Sequence, residues 1–268
     1  MKRYTIFFTI LLIFIFTYFI KSDAFYYPPQ PKIDLTSILN KPVLSDEDYE
    51  TILNQTGIYR PIVDELKGTP AFKSKMLMYQ RKYYSPINII KTNMSILTRL
   101  DKHMVKNRPQ KAFTLAPYKN GYIFFTKSTY TFNWRHGHCG IVVDDLHGYI
   151  LESFAPGTVS SIQPVDNWEY FTTFKMMRPM NQSQQFLDTV ASRTFYNLSR
   201  LPYNILAMKH PNNIPPSTHC SHIIWQAYLP FNLDLDSNGG IFVSPQNIAQ
   251  SPLLEPLQVF GFNPDGSW

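Results

Sequence analysis

Apolar and polar positions change rhythm several times along the chain. Residues 4–20 are uncharged and dominated by apolar side chains, with no polar period. Farther on, Leu44, Tyr49, Ile52 and Leu53 fall on one side of LSDEDYETILNQTG. There Ser45 offers an N-cap, acids crowd the first turn and Gly57 supplies a stop, which predicts a helix. Two more helical patterns follow at residues 61–67 and 71–83, so residues 44–110 read as a small, mainly helical subdomain without a catalytic signature. Packing on the main domain, or shielding it, is its expected role.

Near residue 112 the rhythm shortens. GYIFFTKS and GHCGIVVDDLHGYILESF are β-branched and aromatic runs punctuated by Gly121, Gly137, Gly140 and Gly148, which predicts strands. DDLHGY lies between two apolar runs as a hairpin connection, placing His138 and Glu152 on adjacent antiparallel strands. A helical pattern covers residues 182–198, RLPYN is a loop, and another helix starts near His219 with Ser217 or Thr218 as its cap. Ser244 and Pro245 open a last short helix before a final strand. The expected class is α+β: an antiparallel sheet packed against a helix that carries Cys220.

Composition narrows this picture. At 268 residues, 44% hydrophobic and only 16% charged, the chain suits one main folded domain with extras rather than a coiled coil or a disordered tail. Lys2 and Arg3 precede the apolar run, and Ser22 and Ala24 offer small residues for cleavage after Ala24. Residues 1–24 therefore read as a signal peptide or a membrane anchor, and the protein as extracytoplasmic, secreted or held at the membrane by that segment. Residues 25–43, with YYPPQPK, read as a proline-rich linker. Removal of residues 1–24 leaves a modest basic excess, and no basic tract points to nucleic acid.

The two cysteines are Cys139 and Cys220. A thiol at a helix N-terminus meets unpaired N–H groups and the positive end of the helix dipole, which favour its thiolate. Locally, Cys220 reads as an inert buried thiol, half of a disulfide with Cys139, or a metal ligand with His136, His138, His219 and His222. Strand alternation opposes the disulfide: if His138 faces Cys220, Cys139 faces the other side of the sheet. A metal site is disfavoured because residues 219, 220 and 222 cannot all aim at one ion from a single turn. His138 with Glu152 behind it is a base with an orienting carboxylate, and such a pair makes the nucleophile reading the sharpest.

Five segments carry a family resemblance: YKNGYIFFTKS, RHGHCGIVV, YILESFAPGTVSSIQPVDNW, LPYN and HCSHIIWQAY. In order and spacing they resemble the YiiX and YycO-type proteins, permuted papain-like cysteine hydrolases related to the NlpC-type cell-wall peptidases. The resemblance spans roughly residues 115–260. It implies a permuted papain-like catalytic domain at residues 111–268, with Cys220 as nucleophile, His138 as base and Glu152 as the third polar residue. His136, Tyr203, His219, Ser221 and His222 are expected to line the substrate cleft, with no cofactor and no metal. It further implies an amide or peptide bond in peptidoglycan or another envelope component as substrate, or else an acyl lipid cleaved or transferred on the same fold. A binding module without turnover is a third reading. Tyr122, His219 and His222 depart from the family pattern.

Overall fold

The computed structural model describes residues 25–95, 98–131, 133–209, 214–266 and 268. The export segment expected at residues 1–24 lies outside the described residues. Among the described residues, no helix is long and apolar enough to cross a membrane.

The chain opens with helices α1 (Thr36–Leu39), α2 (Asp46–Thr56), α3 (Arg60–Lys67) and α4 (Phe72–Tyr83). Ser45 caps α2 in a capping box with Asp48, each side chain accepting from the other's backbone N–H, and acids fill its first turn. Gly57 ends α2 in the left-handed conformation with φ 70°. A Cβ at Gly57 would fall 2.1 Å from the Val259 carbonyl oxygen, so only glycine lets the chain approach so closely.

Helical structure stops at Tyr83, which corrects the expectation of a mainly helical segment up to residue 110. β1 (Ile89–Asn93) and β2 (Thr98–Val105) form an antiparallel hairpin, and β3 (Arg108–Pro109) pairs with β2. β2 also pairs with β5 (Thr129–Thr131), which ties this small sheet to the segment leading into His138. The hairpin carries many charged side chains because its surfaces are largely half-exposed.

The main sheet has the order β10-β9-β4-β6-β7-β8, every neighbouring pair antiparallel. Its strands are β4 (Ile123–Thr126), β6 (His138–Asp144), β7 (Tyr149–Glu152), β8 (Ser161–Pro164), β9 (Phe174–Pro179) and β10 (Leu254–Phe260). β4 and β6 are buried nearly throughout, as expected of central strands covered on both faces. The edge at β10 is covered by the N-terminal helices: the Val259 amide donates to Gly57 O at 2.7 Å and the Tyr59 amide to Leu257 O at 3.0 Å. Such cover blunts an exposed edge.

Helices α5 (Gln184–Leu198) and α6 (Cys220–Tyr228) both pack on β6, and α7 (Pro245–Ala249) packs on α6. Every residue of α6 from Ser221 to Tyr228 is buried, so this helix runs through the core. Its far end is held by the Tyr228 hydroxyl, which donates to the Gly121 carbonyl. The fold is thus a mixed α+β architecture built on antiparallel sheets.

Candidate active site

His138 is the first residue of β6 and Glu152 the last of β7, so hairpin pairing brings them to the same end of the sheet. His138 Nε2 lies 2.7 Å from Glu152 Oε2. Both side chains are buried. The imidazole stacks on Trp168, with centroids 5.5 Å apart and an interplanar angle of 18°, and meets the edge of Phe154 at 4.6 Å. Two rings and a carboxylate therefore set its orientation.

Cys220 begins α6, directly after the N-cap His219. His219, rather than Ser217 or Thr218, is the cap: its Nδ1 accepts from the His222 amide at 3.4 Å. At the helix N-terminus the first amides have no intrahelical acceptor and are free to meet an anion. Cys220 and His138 interact, each favouring the other's charged form, and His138 Nε2 is engaged by Glu152.

Cys139 departs from expectation. It is fully buried, as predicted, but its thiol interacts with that of Cys220 and does not point away from it. Alternation puts Cys139 on the side of the sheet where α6 packs and His138 on the side of Trp168. His138 stands at the strand's first position. Both cysteines are free thiols.

These contacts set the charges. The hydrogen bond from Cys139 stabilises the Cys220 thiolate most, burial opposes it, and His138 and His219 add to it; together they hold the Cys220 thiol well below its ordinary range. For His138 burial is the largest single effect and favours the neutral ring, but bonds to Cys220 and Glu152 outweigh it and push its pKa up to about 9. Burial and the nearby thiolate raise Cys139. The resting pair is a thiolate beside an imidazolium.

A pH profile follows from these directions. Cys220 stays ionised well below the usual thiol range, and above about pH 9 His138 loses its proton. Rates measured as kcat/KM are expected to hold a plateau through neutral pH and fall on an alkaline limb near pH 9. A profile that rises up to pH 9, as for an unperturbed thiol, would contradict the ion pair.

Four of the five expected cleft residues line one cavity of about 420 Å³ with Cys220: His136, Tyr203, His219 and Ser221. His136 Nδ1 lies 3.0 Å from Gly137 O, and burial lowers its pKa. Tyr203 is set beside Thr218 by an isolated parallel bridge. Ser221 donates to Val243 O at 2.8 Å. The fifth, His222, is corrected: it is fully buried, with Nδ1 3.1 Å from Thr218 Oγ1 and its ring near Trp225, and it does not line the cavity. Three positions past the N-cap, its side chain turns into the core.

No protein-family model and no curated protein matches the chain. Among solved structures, the metalloprotein YiiX from Escherichia coli O157:H7 is 15% identical with a TM-score of 0.42, over 52% of this chain and 96% of that one. The chain is similar to YiiX. The sequence motifs bring up the same name. Among the described residues here, no group of three or more His, Cys, Asp or Glu is placed to hold a metal ion. His138, the nearest histidine partner of Cys220, spends its Nε2 on Glu152. The donor set therefore does not fit a metal at Cys220.

The motifs leave out the supports of the segment before His138. Arg135 binds the fully buried Asp101 at 2.8 Å and donates to Lys127 O at 3.0 Å, pinning the segment to β2. Gly137 has φ 74°, and a Cβ there would lie 2.7 Å from the Trp268 ring and 2.8 Å from Thr126 O. Gly137→Ala is expected to destabilise the fold by about 1–3 kcal/mol, read by urea unfolding. An unchanged midpoint would show that the segment has room to spare.

Proposed function

We propose that the chain is a cysteine hydrolase that cleaves an acyl compound, an amide or ester, through an acyl-enzyme. The observation that carries this reading is the imidazole of His138, held by Glu152 at 2.7 Å and electrostatically coupled to Cys220 at a helix N-terminus. The order histidine, carboxylate, cysteine along the chain supports the permuted papain-like arrangement. An extracytoplasmic place of action, and with it an envelope substrate, rests on the N-terminal segment.

The chemistry balances in two halves. Cys220 Sγ adds to the carbonyl carbon, and the developing oxyanion is met by the free Cys220 amide at the head of α6. The bond to the leaving group breaks as His138 gives that group its proton, leaving a thioester and a neutral imidazole. His138 then takes a proton from water, the oxygen adds to the thioester carbon, and the C–S bond breaks. The acid departs, and thiolate and imidazolium are restored.

Trapping tests this directly. The full chain is mixed with p-nitrophenyl butyrate, quenched in acid and digested for mass spectrometry. A butyryl adduct on the Cys220 peptide, absent in His138→Ala, is expected. Acylation of lysines or Cys139 with Cys220 untouched would sink the proposal.

A further inference from the structure

We propose that a neutral carbohydrate of one or two rings binds in a second cavity, at Glu152, and slows the reaction through that carboxylate; its effect on rate rests on the acyl-enzyme reading above. The His138 constellation touches two separate cavities. Cys220 lines one and Glu152 the other, while His138, 3% exposed, lines neither, and the two share no lining residue. A ligand in the second cavity therefore meets the carboxylate that holds the base and leaves the nucleophile's cavity open.

This cavity, about 560 Å³, lies between the main sheet and the small one. Glu152 stands directly opposite Ser161 in the β7–β8 pairing, and Gln163 is two residues farther along β8, so the three share one face and line one wall. Leu100 and Lys102 on β2 and Pro109 on β3 line it from the small sheet, and an isolated bridge from Lys102 to Phe171 ties that sheet to the main domain. Phe154, Trp168, Tyr170 and Phe171 supply rings, and the exposed Thr158 and Asn167 complete the lining. β2 and β3 precede the segments that carry the family resemblance, so half of this site belongs to the part of the chain outside that resemblance.

The lining mixes groups that few ligands satisfy together. Glu152 Oε2 is engaged by His138, and Oε1 remains an acceptor. The Gln163 amide nitrogen donates to the Ser161 hydroxyl at 3.0 Å, which leaves a donor on Ser161 and an acceptor on Gln163. Within the lining Lys102 is the cation and Glu152 the anion, so the charges balance. An anionic ligand would be set against Glu152 and a cationic one against Lys102, while a purely apolar ligand would take both from water without a partner. A sugar hydroxyl both donates and accepts, and so serves carboxylate, ammonium and amide alike. The C–H faces of its ring suit the rings of Phe154, Tyr170 and Phe171. The volume falls within the range of ligand sites, roughly 300–1,000 Å³. A hydroxyl donating to Oε1 draws on the charge that Glu152 offers the imidazole, and loosens its hold on His138.

Calorimetric titration of the full chain tests the site, with glucose, galactose, maltose and lactose as probes and glucuronate and glucosamine as charged controls. Saturable binding of a neutral sugar is expected, unchanged in Cys220→Ala and weakened about fivefold to tenfold in Gln163→Leu and in Lys102→Met, which alter opposite walls. Urea midpoints like that of the unaltered protein establish that both variants fold. With p-nitrophenyl butyrate as substrate, the bound sugar is expected to lower kcat several-fold at unchanged KM. Absence of saturable binding by every neutral sugar, preference for a charged one, or binding indifferent to both variants would overturn the site. A raised KM at constant kcat would put the sugar at Cys220 instead, and binding without any change in rate would break the link to Glu152. Absence of Cys220-dependent turnover would remove the acyl-enzyme reading, while the calorimetry still decides the cavity.

Discussion

Cys220→Ala is expected to abolish turnover, a loss on the order of 10⁶-fold in kcat, because nucleophile and base in such sites act as a unit. No other described thiol can replace it. Cys139 is fully buried and its thiol is held up in pKa by burial and by the Cys220 thiolate. Cys220→Ser tests the same point more finely: it keeps a hydroxyl at the head of α6 but not a group that ionises near neutral pH. If either variant retained more than a small fraction of the rate, the sulfur would not be the attacking atom. Folding is expected to survive both changes, since Cys220 is only partly buried at the first position of its helix.

The second large effect concerns Glu152. Glu152→Gln preserves the size of the side chain and a hydrogen bond to His138, but removes the charge that raises the imidazole. The expected loss in kcat is about 10⁴-fold, as when an orienting carboxylate of a triad becomes an amide. A merely structural residue would lower stability and leave the pH profile in place. Here the alkaline limb near pH 9 is expected to move down, because the carboxylate is among the groups that hold His138 protonated. Near-normal rate with an unshifted limb would exclude Glu152 from the machinery.

Much of the site was legible because its signals are local. Glycines at 137 and 148 bracket β6, and the short connection between β6 and β7 puts His138 and Glu152 at the same end of the sheet. The helix beginning at Cys220 followed from the apolar run behind it. What escaped depends on contacts far apart in sequence. The β1–β2 hairpin mixes charged and apolar residues on half-exposed faces, so no clean period of two marks it. Its partner, β5, lies beyond an intervening stretch of chain, and the ion pair of Asp101 with Arg135 spans the same gap.

Two errors have a single cause, the ends of elements. Alternation along β6 is correct for its middle, yet at the first residue the His138 ring reaches the same sulfur that Cys139 faces. At the head of α6, the capping residue is a histidine, an uncommon cap, and His222, like every residue of the helix after Cys220, is buried.

The central claim is that Cys220, supported by the Cys139 thiol and by His138, is the reactive thiolate and that Cys139 is not. The most direct measurement is brief alkylation of the full chain by iodoacetamide at pH 6, followed by peptide mass spectrometry, in the unaltered protein and in His138→Ala. Rapid modification confined to Cys220, and its marked slowing in His138→Ala, is the predicted result. Equal labelling of both cysteines, an unreactive Cys220 in the folded protein, or a rate indifferent to His138 would contradict it.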